Sequence, residues 1–366
     1  MTRIPITGPA AWRGAELEHS HAWIRHFLPA HLAEIDAALD ALHRREIFEI
    51  GFPRDAFALG DTLALLRDVK NALENGPGAI RLRGLPVQRY SETDLRLVFW
   101  GLGLHLGTPL FQNPTGEIMG AVRDETRDAN PTYVKTGPDE VMTSRARTRS
   151  TGPLRWHTDR CDVIALLCAR NAMAGGLSRL ASIPAIHNLL LQRRPDLLEV
   201  LFADYWRARP KEEDGLYASP VFALPVFGMQ DGKITSQYSR TYVEQGQEFA
   251  TVPRLTAPQI EALDVLAAYA DEVCLEIPFV EGDIQLLNNH VIYHGRTAYQ
   301  DDAARGQERL LLRLWLAPAK SRVLPDGFDH YWGSTAPGAL RGGVAQRDGR
   351  RTPWATVTNA QPETVG

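Results

Sequence analysis

The chain has 366 residues, 44% hydrophobic and 23% charged, enough for one large domain or two smaller ones. Forty basic and 44 acidic side chains leave a net charge of −4, and neither sign gathers into long blocks, so the expected partner is a small molecule and not nucleic acid. Cys161, Cys168 and Cys274 are too few for a disulfide framework or a four-thiolate zinc site, and no leader or long apolar run is visible; the expectation is a cytoplasmic protein without membrane contact, its self-association left open.

In chain order, "PAHLAEIDAALDALHRR" and "DTLALLRDVKNALENGPG" carry apolar residues at three-and-four spacing and predict helices, the second stopped at Gly76-Pro77. "GAIRLRGLPV" alternates like a strand, and Ser91 with Asp94 predicts a cap on the helix "SETDLRLVFWGLGLHLG". Residues 123–150 are polar and turn-rich, a candidate lid. "LRWHTDRCDVIALLCAR" then reads as a strand, followed by a short strand and helix in "GGLSRLASIPAIHNLLLQRRPDLLEVLF". "SPVFALPVFGMQDGKITSQYSRTYV" reads as extended, with a hairpin turn at Asp231-Gly232. Thr256 and Gln259 predict a capped helix, and two late strands, "GDIQLLNNHVIYHGR" and "ERLLLRLWLAP", precede a Gly/Pro/Arg-rich tail expected to be loose or wrapped over the surface. Helices first and irregularly spaced strands later predict a single α+β domain on a β-sandwich or jelly roll: a helical region 1–77, a core 78–318 and a tail 319–366.

On one strand, His157 and Asp159 would project from the same face. Imidazole and carboxylate are two-thirds of the two-histidine, one-carboxylate set that holds Fe(II) on one face, and "NNHVIYHGR" offers His290 and His294 as the third member. In "ERLLLRLWL", Arg309, Leu311, Arg313 and Trp315 share one face of a strand whose other face is all leucine. A buried guanidinium calls for an anion, so Arg309 suits the far carboxylate of a diacid chelating the metal; an internal Arg–Asp pair, or an arginine face meeting water, is the plainer alternative.

Together "WHTD", "AGGLSRLAS", "GDIQLLNNHVIYHGRTA" and "RLLLRLWL" resemble, in that order, the taurine dioxygenase/TfdA-like Fe(II)- and 2-oxoglutarate-dependent dioxygenases over roughly residues 78–318. The resemblance implies a double-stranded β-helix, or jelly roll, with flanking helices. It implies that His157, Asp159 and His294 bind iron and that Ser178 and Arg309 bind the distal carboxylate of 2-oxoglutarate. His294 is preferred to His290 because Gly295-Arg296 follow it as the family pattern expects, and because His290 would lie too far upstream of Arg309. The implied reaction consumes O2, converts 2-oxoglutarate to succinate and CO2, and oxidises a small substrate, with hydroxylation ahead of desaturation, epimerisation or cyclisation. Asp159 speaks against the halogenating branch, in which a small residue replaces the carboxylate. Arg313, with the parity of Arg309, is expected to meet an anionic group of the substrate; the alternative is an internal carboxylate, for instance one from the 123–150 loop.

Two other classes compete. A metal-binding jelly roll without turnover would hold zinc in the same triad, but would leave Ser178 and Arg309 without a purpose. A nucleotide-binding reading of Gly101, Gly103 and Gly107 has the wrong spacing. Cys161 and His187 read as core residues, Arg240 and Tyr242 as a strand face that meets either substrate or water, and Asn288 and Asn289 as groups that satisfy a bend or orient metal ligands.

Overall fold

The computed structural model describes residues 3–133 and 142–354. Among them, two sheets are built from strands β1 (Ile24–His26), β2 (Ala79–Arg83), β3 (Thr108–Pro109), β4 (Met119–Val122), β5 (Leu154–His157), β6 (Val163–Arg170), β7 (Ser178–Ser182), β8 (Leu275–Ile277), β9 (Ile284–Asn288), β10 (Ile292–Arg296) and β11 (Leu310–Ala317). The larger sheet runs β1-β2-β9-β6-β11-β3 with β4 also on β11, and the smaller runs β8-β7-β10-β5. Pairing is antiparallel apart from β1 with β2. No helix among the described residues is long and apolar enough to cross a membrane.

The two faces of β11 show why the sheets stack. Leu311 and Trp315 point inward, into one core cluster with Leu180 of β7 and Tyr293 of β10. Leu310, Leu312, Leu314 and Leu316 point outward, into a second cluster with Ile35, Leu66 and Val98 from the helices Pro29–Arg44, Thr62–Asn75 and Glu92–Leu106. Each leucine buried this way contributes about 1.5–3 kcal/mol. The helices Ile183–Arg193 and Ala257–Val273 supply buried residues to the first cluster from outside the smaller sheet.

Local signals explain most boundaries. Ser91 Oγ accepts the Asp94 N–H at 3.0 Å, and Thr256 with Gln259 forms a reciprocal capping box. Asp231 and Gly232 take φ of 50° and 74°, the left-handed pair of a tight hairpin turn between Phe227–Gln230 and Lys233–Ser236. The glycines of "GLGLHLG" are packing notches, as a Cβ on Gly101 would lie 2.3 Å from the Phe57 ring and one on Gly103 2.5 Å from Leu314.

Four expectations need correction. "LRWHTDRCDVIALLCAR" is two strands in different sheets, joined by a crossover at residues 158–162, so Asp159 is not on a strand. "GDIQLLNNHVIYHGR" likewise divides into β9 and β10, with His290 in the turn between them. "RTYVEQG" is a helix, Arg240–Gly246, in which Arg240 pairs with Glu244 one turn on and with Asp264. The tail is tightly packed over its described part: Trp332 and Arg341 are fully buried, and Arg341 grips Asp162 with hydrogen bonds of 2.7 and 3.0 Å. Its glycines permit that approach, since Gly343 N–H donates to Arg160 O at 2.6 Å with φ of 60°. Within the expected lid, residues 134–141 lie outside the described residues, as does the tail from 355; of the described part, residues 144–148 form a short helix and Arg149 is buried against Glu125 and Glu117.

Candidate active site

The two crossovers between the sheets meet. Asn289, in the β9–β10 turn, accepts the Asp159 N–H at 3.0 Å through its Oδ1 and donates from Nδ2 to Cys161 O at 3.0 Å. This clamp aims Asp159 inward from a segment that has left its strand. His157 on β5 and His294 on β10 are direct cross-strand partners, so their rings share the inner face, with centroids 4.1 Å apart.

One donor atom from each of His157, Asp159 and His294 lies within 4.8 Å of the others. His157 Nδ1–H donates to Arg155 O at 2.9 Å, and its Nε2 faces Asp159 Oδ1 at 3.8 Å. His294 Nε2 stands 4.0 Å from Asp159 Oδ2. These gaps exceed hydrogen bonds and suit atoms ranged about one cation. Burial, and next the neighbouring His157, push His294 down to about 3, so its imidazole is neutral. Burial alone would lift the Asp159 carboxyl, but Arg313, the two histidines and the Trp315 indole hold it below its ordinary value. A neutral imidazole at His294 and an ionised carboxylate at Asp159 are ligand states that a divalent metal requires.

Trp315 Nε1–H donates to Asp159 Oδ2 at 2.9 Å. Sequence reasoning placed Trp315 on this face but assigned it no role; the signal was its parity with Arg309 and Arg313. Gln112 was missed altogether. Its Oε1 accepts Arg313 Nε–H at 2.7 Å, and its Nε2 donates to Arg313 O at 2.9 Å.

Two cavities meet at His157 and Asp159, and His294 lines one of them. The smaller, of about 480 Å³, brings Ser178 and Arg309 together with His157, Asp159, His294 and Arg313. Arg309 is 4% exposed, its Nη1 has no partner among the described residues, and none of their carboxylates pairs with it. Ser178 Oγ–H donates to Gln285 Oε1 at 3.0 Å and would have to turn to meet a ligand. A buried guanidinium without a counter-ion beside a hydroxyl fits the carboxylate of 2-oxoglutarate. The larger cavity, about 850 Å³, is lined by Gln112, Arg313 and Trp315 on one side and by Tyr242 and Tyr331 among its other walls.

For Arg313 the structure corrects the charge argument. It does have an internal carboxylate, since its Nη1 is 3.7 Å from Asp159 Oδ2, beyond hydrogen-bond length; none of the described acids of the 123–150 loop pairs with it. Other candidates lie elsewhere. His290 Nε2 meets Asp162 Oδ1 at 2.7 Å and its Nδ1 meets Thr235 Oγ1 at 2.5 Å. His187 packs edge-on to Phe202 and Phe227, and Cys161 is fully buried.

A model of the taurine catabolism dioxygenase TauD, TfdA family matches residues 40–315. FR-33289 synthase of Streptomyces rubellomurinus is 30% identical over 345 residues, covering 92% of this chain and 97% of that protein. Among solved structures, asparagine oxygenase with Fe(II), 3-hydroxyasparagine and succinate is similar with a TM-score of 0.58 at 17% identity, covering 80% of this chain and 93% of that one. The non-heme iron oxygenase OrfP with Fe and alpha-ketoglutaric acid is similar with a TM-score of 0.55, also at 17% identity and over the same shares.

Proposed function

The chain belongs to the TauD/TfdA family and is a non-haem iron, 2-oxoglutarate-dependent dioxygenase; from that premise we propose that it hydroxylates a small anionic metabolite at a centre held by His157, Asp159 and His294. The observation that carries the assignment is the triad itself: one ligand atom from each of His157, Asp159 and His294, all within 4.8 Å of one another, beside the cavity that also holds Ser178 and Arg309. Iron, 2-oxoglutarate and O2 supply the oxidising chemistry when bound. The protein's share is placement. The two facing sheets are read as a jelly roll spanning residues 78–318, with His157 and His294 on the smaller sheet and the Arg309/Arg313/Trp315 face on the larger.

On the cosubstrate side, Arg309 and Ser178 bind the distal carboxylate. Arg309→Ala is expected to raise the 2-oxoglutarate KM by about 10–100-fold, from the roughly 1.5–3 kcal/mol of a hydrogen bond to a charged group. Steady-state succinate release measures it, and an unchanged KM removes the role.

On the substrate side, Arg313 presents its guanidinium to the larger cavity, oriented by Gln112. With Asp159 engaged by the metal, Arg313 has charge left for a substrate anion. The named ligands of the similar asparagine oxygenase and OrfP structures include hydroxylated amino acids, which places amino and organic acids first in a screen. An anaerobic Fe(II) and 2-oxoglutarate titration, followed through its metal-to-ligand charge-transfer band and repeated with acid libraries, tests the whole reading; no band with both present overturns it. For a substrate so found, Arg313→Leu should raise its KM about tenfold or more and spare iron affinity. A fall in iron affinity with unchanged substrate KM makes Arg313 an anchor for Asp159.

A further inference from the structure

Arg296 lies two residues beyond His294 on β10 and directly across from Ser178 on β7. Alternation along a strand and pairing across strands therefore put His294, Arg296 and Ser178 on one inward face. Arg296 is 5% exposed and lines the smaller cavity with Ser178 and Arg309. The Tyr299 ring is shared by the two guanidiniums, 4.6 Å from Arg296 Cζ and 5.2 Å from Arg309 Cζ.

The hydrogen bonding of this cluster is incomplete in one direction only. Arg296 Nη2 is satisfied, donating to Ser150 O at 2.6 Å and Gly152 O at 2.5 Å, just before β5. Its Nε and Nη1, Arg309 Nη1 and the Tyr299 hydroxyl are buried with no partner among the described residues. None of the described carboxylates pairs with either guanidinium, although such a charge normally enters a protein interior only with an anion.

We propose that Arg296 is a second cationic anchor for the distal carboxylate of 2-oxoglutarate, closing with Arg309, Ser178 and Tyr299 a four-sided donor set. This rests on the reading that Arg309 faces that carboxylate. The bonds from Nη2 to Ser150 and Gly152 hold the guanidinium in place beside the cavity that it lines, and leave its buried Nε and Nη1 as the donors still without a partner among the described residues. A lysine in its place could keep the charge but not both the latch and the anchor.

The test is calorimetric binding, without O2, to the full-length protein loaded with Zn(II). The two ligands are 2-oxoglutarate and 2-oxopentanoate, which has the same carbon chain but no distal carboxylate. Wild type should prefer 2-oxoglutarate. Arg296→Gln should weaken 2-oxoglutarate on the order of tenfold and leave 2-oxopentanoate nearly unchanged. Equal weakening of both ligands, or of neither, overturns the proposal, because a residue that only latches 150–152 has no means of sensing the distal carboxylate. If Arg296→Gln does not fold, Tyr299→Phe decides the same question by removing one hydroxyl; a preference unchanged from wild type overturns the four-sided set. Arg309→Gln runs in parallel. Loss of preference in the Arg296 variant alone refutes the role of Arg309 and leaves that of Arg296 standing.

Discussion

Asp159→Ala is expected to abolish stoichiometric Fe(II) binding and bring iron-dependent turnover to background. Asp159 is the anionic member of the triad, and two neutral imidazoles alone neither balance a divalent charge nor close three sides of its coordination. The variant should also be less stable without metal. Asp159 Oδ2 lies 3.7 Å from Arg313 Nη1 and accepts the Trp315 indole N–H; removing one partner of a buried charge pair costs about 3–5 kcal/mol. Asp159→Asn separates the two effects, because an amide oxygen still accepts from Trp315 while binding iron poorly. The expected pattern is a low melting temperature in the alanine variant, a milder loss in asparagine, and weak iron binding in both, read by calorimetry and an anaerobic metal titration. Normal affinity in either variant would remove Asp159 from the centre.

How far the sequence could be read depended on what each face of an element touches. The β11 strand was legible because its two faces meet different surroundings: leucines against helices, arginines and tryptophan toward the cavities. The residues of the triad are legible as motifs, but their placement has a different cause. Parity along one strand predicts a shared face for His157 and Asp159, whereas the chain leaves β5 at His157 and Asp159 is aimed by Asn289 from the crossover. A chain passing from one sheet to the other keeps its apolar, β-prone composition on both sides, so the break at "TDRCD" carries little signal; "NNH" in the β9–β10 turn is equally quiet. The tail misled for a related reason. Glycines that let Gly342 and Gly343 approach Arg160 and Cys161 look, in one dimension, like glycines of a loose end. Long-range partners such as Gln112 for Arg313 have no local signature at all.

The choice between two histidines four residues apart gives the second large effect. His294→Ala should lose iron with little change in the fold of the metal-free protein, because its Nδ1 has no partner among the described residues to strand. His290→Ala should do the reverse. His290 is fully buried, bridges Asp162 and Thr235, and lies against Trp332 with ring centroids 4.8 Å apart. Its loss opens a cavity and unpairs one side of a carboxylate that Arg341 still holds, at a cost of about 2–4 kcal/mol. Asp162 is also the residue through which the tail is fastened beside the Asp159 crossover, so the damage should show as a lowered melting temperature and a looser tail, with iron affinity kept at temperatures where the protein remains folded. Hydrogen exchange across residues 329–344, set beside metal titrations of both variants, distinguishes these outcomes. Lost iron binding in a folded His290 variant, together with normal binding in the His294 variant, would mean that the third ligand comes from the turn and not from β10.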